Sequence, residues 1–250
     1  MQKRRTSFWP SYVDVMTTLF AIMVVLFGVS YGRFRATTDE LKKLLERYEE
    51  IKSIYKVVEN IDSTYFEFEP EYVKHIFKIQ VTYQVGEFKL DKLQDDITDK
   101  TAANETRKRI IEAGREIERT IKSLQDSSFT KQDIKYLVVI EGQASADGYN
   151  NGEYFNNDVL SYQRALALHR FWRDHGIDFS NMKKCELVIS GSGEGGVPRF
   201  SKQDYMESDE YHRRMKLNPN LVVKATDYEK YNQRFLIHIV PVIGNISMNE

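Results

Sequence analysis

Cysteine is almost absent from this sequence: its 250 residues include only Cys185. A single cysteine excludes an intramolecular disulfide and any zinc site built from Cys-x-x-Cys pairs. The net charge is −1 at pH 7, so overall charge gives no reason to expect a nucleic-acid-binding protein. The five histidines form no cluster with metal-ligand spacing, and we predict no metal site and no cofactor.

Catalytic motifs are also missing. Ser145 does not lie in a Gly-x-Ser-x-Gly nucleophile elbow. Residues 191–196 are rich in glycine, but no Lys-Ser or Lys-Thr pair follows them as in a phosphate-binding loop. We therefore expect this stretch to be a solvated turn and the protein not to be an enzyme.

One long apolar run is present, at residues 8–31, and Asp14 is its only charged residue. A helix of this length is roughly 36 Å long, enough to cross a bilayer. The run is longer than the apolar region of a signal peptide, and no Ala-x-Ala-like cleavage site follows it. We predict an uncleaved transmembrane helix at residues 8–32, after a short cytoplasmic tail at residues 1–7.

Asp14 is the informative residue of this run because it lies about 9 Å along the helix from its start. An unpartnered carboxylate at such a depth is costly, so these residues face protein or water and often carry an ion or proton. The residues alone leave two interpretations open. Asp14 either carries an ion, or it has a structural role as a polar contact between helices or as a side chain that snorkels toward the headgroups.

The surroundings of Asp14 resemble two related membrane proteins. Residues 11–18 read Ser-Tyr-Val-Asp-Val-Met-Thr-Thr and resemble the Tyr-Ala-Asp-Phe-Met-Thr segment of flagellar motor B subunits, the MotB family. Together with Phe8 and Trp9 they also resemble the Phe-Trp-x-Ser-Tyr-Ala-Asp-x-Met-Thr segment of ZorB, the B subunit of Zorya antiphage systems. Val13 departs from both patterns and Val15 from the flagellar one, but both leave the carboxylate in place.

This resemblance implies that Asp14 carries the translocated ion, a proton or sodium. It also implies a B-subunit homodimer inside a ring of multi-span A subunits, in a bacterial inner membrane. Lysine and arginine flank both ends of the span, so the positive-inside rule does not decide its orientation. Lys3, Arg4 and Arg5 mildly favour a cytoplasmic N-terminus, which would put the rest of the chain in the periplasm. The expected ion-pathway neighbours are Tyr12, Thr17 and Thr18.

Residues 39–58 predict a helix with a narrow apolar seam. The apolar residues follow one another at intervals of three and four, which is a heptad pattern. A parallel dimer and a short amphipathic helix on its own domain both fit, and the nearby membrane span favours the dimer. We place a coiled-coil linker at residues 33–60. The seam residues are Leu41, Leu44, Tyr48, Ile51, Tyr55 and Val58.

The remaining residues, 61–250, predict one α+β domain with helices on one face of a mixed sheet. Ser161 is expected to cap the second helix and Gly176 to end it with a positive φ. Pro241 places the end of the last strand at an edge or outside the ladder. A charged segment at 199–231 has no assignment. We predict strands at 75–90, 134–141, 186–190 and 235–243, helices at 105–124 and 160–175, and a linker at 60–70.

Four segments of this domain, in order, resemble OmpA-like peptidoglycan-binding domains. Gly142-Gln143-Ala144-Ser145 stands where that family has Gly-His-Thr-Asp, and residues 160–165 match its Leu-Ser-x-x-Arg-Ala helix start. Residues 191–198 match a Gly-x-Gly loop with a later proline, and residues 232–234 match an Asn-Arg-Arg segment. The resemblance covers roughly residues 76–243 and makes 199–231 an insertion.

The OmpA-like resemblance implies a site for the diaminopimelate of a peptidoglycan stem peptide. Arg164 matches the family's arginine, and an arginine in the first turn of a helix can fork onto a carboxylate. Ser145 replaces the family's aspartate, and Asp147 lies two residues later, so recognition of the ammonium is in doubt. A surface salt bridge is the alternative role for Arg164. The remaining predicted wall-binding residues are Ser161, Asn232 and Arg234.

These observations predict a B subunit of an ion-driven stator that anchors to peptidoglycan. The Phe8-Trp9 start, the short tail and the heptad favour the Zorya branch over the flagellar one. The alternatives are a flagellar stator subunit and a passive OmpA-like cell-wall anchor in which Asp14 is only structural.

Overall fold

A computed structural model of the chain describes residues 9–84, 86–126, 134–146 and 156–243. They form a long N-terminal helix and a mixed sheet with helices, so the predicted α+β class is confirmed. The chain divides into two compact units, Met1–Lys52 and Ser53–Glu250. The helices are α1 (Trp9–Glu59), α2 (Asp95–Thr98), α3 (Lys100–Asp126), α4 (Asn157–Asp174), α5 (Lys202–Glu207), α6 (Asp209–Leu217) and α7 (Ala225–Glu229). The strands are β1 (Phe66–Glu69), β2 (Lys74–Phe77), β3 (Ile134–Gly142), β4 (Cys185–Gly191) and β5 (Phe235–Ile243).

The first unit consists of the N-terminal part of α1, whose large apolar side chains are exposed. Among the described helices, α1 alone is long and apolar enough to cross a membrane. Two hydroxyls in the apolar run are satisfied within the helix: Thr17 donates to the Val13 carbonyl at 2.6 Å and Thr18 to the Asp14 carbonyl at 2.9 Å. These bonds remove two polar groups that a hydrocarbon environment would leave unpaired.

The C-terminal end of α1 belongs to the second unit. Ile54 and Val58 are buried there, and Val58 is 1% exposed. The Val58 carbonyl also lies 2.8 Å from Nε2 of His75 on β2. Val58 was assigned to the dimer seam, but it is covered by its own chain. The dimer seam stays a prediction for the residues nearer the membrane.

The sheet has the strand order β1-β2-β5-β3-β4. Strands β3 and β4 are parallel and are joined through α4, whereas the other neighbours are antiparallel. Strand β5 is therefore central over its first part, and its end is unpaired on the β2 side, in agreement with the prediction from Pro241. Strand β2 pairs only with Leu236 and Ile237 of β5, so Pro241 has a neighbouring strand on one side only and lies outside the β2 ladder.

Two sequence assignments at the start of the domain are wrong. Strand β1 lies inside the predicted linker at 60–70, where Phe66 pairs with Phe77 of β2. The predicted strand at 75–90 ends at Phe77, since the following residues have a single isolated bridge, from Tyr83 to Leu93. Ile79, Val81 and Tyr83 are buried in alternation, so the period of two reflects burial against the core rather than strand pairing.

Helices α3 and α4 supply the core of the domain, as their apolar faces predicted. Ile110 and Ile117 of α3 and Trp172 of α4 are fully buried. The indole Nε1 of Trp172 donates to the Ile110 carbonyl at 2.7 Å and joins the two helices. A Cβ on Gly114 would lie 2.5 Å from that indole nitrogen, so the absence of a side chain there allows the close contact.

Helix α4 begins earlier than predicted, at Asn157. Its N-cap is Asn156 rather than Ser161: the Asn156 side chain accepts from the backbone N–H groups of Asp158 and Val159. Gly176 follows the helix with φ +81°, which confirms the predicted left-handed termination. The segment at 199–231 contains α5, α6 and α7.

Candidate functional site

The segments that resemble OmpA-like domains meet where β3 and β4 end and α4 begins. A Cβ on Gly142 would lie 2.0 Å from the Ser161 carbonyl oxygen, and one on Gly191 would lie 2.4 Å from the Tyr162 nitrogen. Both glycines therefore let α4 rest directly on the strand ends. Ser161 is fully buried, and its hydroxyl accepts from the Gly193 N–H at 2.9 Å. This bond holds α4 against the glycine-rich residues 191–196, which we call the glycine loop.

Gln143 stands in the place of the family's histidine and ties three segments together. It is fully buried, and its side-chain nitrogen donates to the carbonyls of Gly196 at 2.5 Å and Pro198 at 2.9 Å. Its side-chain oxygen accepts from Nε of Arg234 at 2.9 Å. Burial and the neighbouring Arg199 lower the pKa of Arg234 to about 10. Arg234 is thus committed to internal contacts in this structure.

Ser145 is also an internal residue. Its hydroxyl accepts from the Gln233 amide at 3.1 Å, and its carbonyl accepts from the Asn157 amide at 3.0 Å. Asn157 donates to a carboxylate oxygen of Glu194 as well, at 2.6 Å. The position that carries an aspartate in the OmpA-like family therefore supplies no charge here. Asp147 lies outside the described residues.

Arg164 does not lie in the first turn of its helix, because α4 starts seven residues before it. It is 4% exposed and stacks on the ring of Tyr83, with 4.5 Å between Cζ and the ring centroid. Its Nε donates to the Glu87 carbonyl at 3.3 Å. The predicted combination of a guanidinium with free helix N-terminal N–H groups is not formed. Arg164 is a buried cation whose charge is stabilised by an aromatic face.

Glu229, at the end of α7, was not singled out by the sequence. One of its carboxylate oxygens accepts from the Ala146 N–H at 2.9 Å, from Arg199 at 2.6 Å and from Asn232 at 3.1 Å. The donors come from the loop after β3, from the segment after the glycine loop and from the turn before β5. No short motif connects them in the sequence, so only the folded chain reveals this convergence.

A second charged cluster links β2, β3 and β5. Glu141 accepts at one carboxylate oxygen from Lys74 at 3.0 Å and from His238 at 2.8 Å. Lys74 also donates to the Val197 carbonyl at 2.7 Å. Burial favours the protonated acid, but hydrogen bonds from His238, Ser192 and Lys74 outweigh it and lower the pKa of Glu141 to about 2. The cluster holds the glycine loop against the sheet.

Asp14 lies on the exposed surface of α1, and its carboxylate has no hydrogen bond or ion pair with any described residue. At about 100° per residue, Thr18 and Thr17 lie about 40° and 60° from Asp14 around the helix, on either side of it. Tyr12 lies about 160° away and packs edge-on against Trp9. Within the described residues, no group of His, Cys, Asp and Glu side chains is arranged to hold a metal ion.

Comparison of the sequence with known protein families and with curated protein sequences gives no match. Among solved structures, the chain is similar to a crystal structure described as that of a MotB-like protein from Desulfovibrio vulgaris. The two sequences are 16% identical, the TM-score is 0.42, and the alignment covers 81% of this chain and 99% of that chain. Similarity at this level does not establish a family or a function.

Proposed function

We propose that this protein is the single-span B subunit of an ion-driven stator complex. Asp14 binds and releases the translocated proton or sodium ion, and the domain that follows the membrane anchors the complex to peptidoglycan. The observation that carries this proposal is Asp14 itself: one carboxylate in an otherwise uncharged apolar run at residues 8–31, with no partner among the described residues of its own chain. In the proposed complex, neighbouring subunits supply its partner or line the water-filled path that it faces.

The distribution of side-chain size around α1 supports packing of the Asp14 face against other helices. At 100° per residue, the residues from 15 to 32 that lie within about 40° of Asp14 are Thr18, Ala21, Val25, Gly28 and Gly32, of which three are alanine or glycine. Small residues let transmembrane helices approach closely. The opposite side carries large apolar side chains suited to lipid or to the bulky surface of a partner. These are Met16, Leu19, Met23, Leu26 and Phe27.

The proposed assembly is a homodimer inside a ring of multi-span A subunits in a bacterial inner membrane, with a cytoplasmic N-terminus and a periplasmic domain. Leu41, Leu44 and Tyr48 support a dimeric linker because they are exposed on α1 in the single chain. Covering them requires a second copy or another partner. An ion that crosses 100 mV releases about 2.3 kcal/mol, so a few ions suffice for a large rearrangement. The protein itself acts mechanically, without catalysis.

Two further functions stay as alternatives: a flagellar stator subunit, and a passive wall anchor in which Asp14 is only structural. The Phe8-Trp9 start favours a Zorya-type defence complex over a flagellar one. The three short helices inserted before β5 also favour a divergent branch. A neighbouring gene for a multi-span subunit supports the stator, and neighbouring helicase or nuclease genes support defence.

The decisive experiment replaces Asp14 with asparagine, which keeps the size and polarity of the side chain but cannot cycle a proton. Asp39→Asn, an exposed position on the same helix beyond the apolar run, is the matched control. We expect both variants to insert and to co-purify with the multi-span partner. Only Asp14→Asn should lose protection in a plaque assay, or swimming if the complex is flagellar. Full activity of Asp14→Asn would refute the ion-carrier role.

A further inference from the structure

Glu229 is held by a donor set of the kind that proteins use to bind carboxylate ligands. One backbone N–H, one amide and one guanidinium, from Ala146, Asn232 and Arg199, converge on a single oxygen. Charge-assisted bonds from arginine and backbone N–H groups are among the strongest that a carboxylate receives. Capture of a terminal carboxylate by such groups is a recurrent mode of peptide recognition.

Two of these donors, Arg199 and Asn232, are fixed by contacts that do not involve Glu229. Arg199 donates through Nη1 to the carbonyls of Ala144 at 3.2 Å and Glu194 at 2.6 Å. Asn232 is fully buried and makes two hydrogen bonds with the backbone of Phe200, at 2.8 and 3.0 Å. The donor set therefore keeps its geometry if Glu229 leaves, and a preorganised site binds with less loss of entropy.

The helix that carries Glu229 has no apolar anchor, and its side-chain ion pair to another element is that of Asp227 with Arg214 of α6, at 2.7 Å. Glu229 ends α7, a five-residue helix that has no buried residue. The Glu229 side chain is 14% exposed, and Ala146 lies at the surface. A ligand can therefore reach Ala146 and Arg199 from solvent, and it reaches the buried Asn232 when it takes the place of the Glu229 carboxylate. Displacement of Glu229 exposes no apolar core.

We propose that Ala146, Arg199 and Asn232 form a carboxylate-binding site that Glu229 occupies in the free protein, and that a peptide carboxylate binds by displacing Glu229. The identification of that peptide with the stem peptide of the cell wall rests on the proposed function; the site itself does not. Occupancy by Glu229 makes the site self-inhibited, since the ligand must compete with a carboxylate of the same chain.

Hydrogen–deuterium exchange of the full chain in detergent tests the displacement without any substitution. The probe is N-acetyl-D-alanine, and N-acetyl-D-alanine amide is the matched compound without the charge. We expect the acid to increase exchange in residues 225–229, because α7 is released, and the amide to have no effect. Glu229→Gln should raise exchange there without the probe and should bind the acid about tenfold more tightly, since a neutral amide competes for these donors less well than a carboxylate.

Glu210→Gln is the matched control, because Glu210 is an ion-paired acid of the same insertion that contacts Lys230 and Tyr231 rather than Ala146. No response to the acid in either wild type or Glu229→Gln would overturn the proposal, as would an equal gain in affinity from Glu210→Gln.

Sedimentation of the full chain with purified peptidoglycan separates this proposal from wall binding. One outcome would support the wall anchor and refute the carboxylate site. In that outcome the chain sediments with peptidoglycan, Glu229→Gln does not sediment more strongly, and the acid does not release α7. Release of α7 by the acid without sedimentation would support the site and refute peptidoglycan as its ligand.

Discussion

The Glu141 cluster gives the protein a defined sensitivity to acid. Because hydrogen bonds lower the folded-state pKa of Glu141 from 4.5 to about 2, the folded state binds a proton there less readily than the unfolded chain. The resulting stabilisation is complete above about pH 4.5 and is lost as the pH falls toward about 2. A pKa difference of this size corresponds to about 3 kcal/mol. Partial exposure of Lys74 and His238, 13% and 18%, reduces our expectation to about 2 kcal/mol.

Glu141→Gln tests this reasoning. At neutral pH it leaves the Lys74 ammonium without its counter-charge at a site that is largely buried, and we expect a loss of about 3 kcal/mol. The difference in unfolding free energy between wild type and variant should shrink by about 2 kcal/mol between pH 6 and pH 3, because only the wild type loses a charge interaction there. Glu186→Gln, at an exposed position on β4, makes the same chemical change without the cluster.

The measurement is urea unfolding of the full chain in detergent, followed by tryptophan fluorescence. The chain has two tryptophans, so a Trp9→Phe background leaves the buried Trp172 as the single reporter of the domain. We expect the Glu186→Gln curve to run parallel to wild type at every pH, within about 0.5 kcal/mol. A constant difference between wild type and Glu141→Gln from pH 6 to pH 3 would show that the cluster does not depress the pKa of Glu141.

Two further predictions concern packing. Gly142→Ala places a Cβ 2.0 Å from a backbone oxygen of α4 and should lower the free energy of urea unfolding by about 2–4 kcal/mol. Gly195→Ala, whose Cβ would have its nearest atom at 3.7 Å, should lower it by less than about 1 kcal/mol. Equal effects of the two substitutions would contradict the close approach. In a Cys185→Ser background, Leu44→Cys should form disulfide-linked dimers under mild oxidation and Lys43→Cys should not, because only Leu44 lies on the heptad seam. Cross-linking at Lys43 alone would refute the seam.

Much of the fold could be predicted from the sequence because several elements carry strong periodic signals. The apolar face of α3, the continuous apolar run of β3 and the glycine after α4 each specify one local structure. The predicted positions of β3, β4 and β5 agree with the structure to within about a residue. These elements pack with the faces that their patterns indicated.

The failures have physical causes. After Phe77, every second residue is buried although no described strand pairs with this segment. A period of two in the sequence does not distinguish a paired strand from an extended, unpaired segment with one buried face. The start of α4 was missed because Asn156 caps it from within a polar segment, where several residues qualify as caps. Val58 satisfies a heptad and also a core position, since both need an apolar residue at the same spacing.

The candidate site was less predictable than the fold, and the reason lies in what the matching motifs do. Gly142, Gly191 and Ser161 are positions where α4 contacts the strand ends, so any chain with this junction needs small residues there whatever it binds. A resemblance at these positions therefore reports the backbone arrangement. It carries little information about the ligand, which depends on charged groups at the rim.

The charged groups around this junction come from other residues. Ser145 stands where the resemblance placed an aspartate, and Arg164 stacks on Tyr83 inside the domain. The ion pair near residues 191–196 joins Arg199 and Glu229, both of which lie in the segment 199–231. If the domain binds a carboxylate, that segment is therefore its recognition element. Removal of Glu229 should then alter ligand affinity more than removal of Arg164, whose loss should mainly reduce stability.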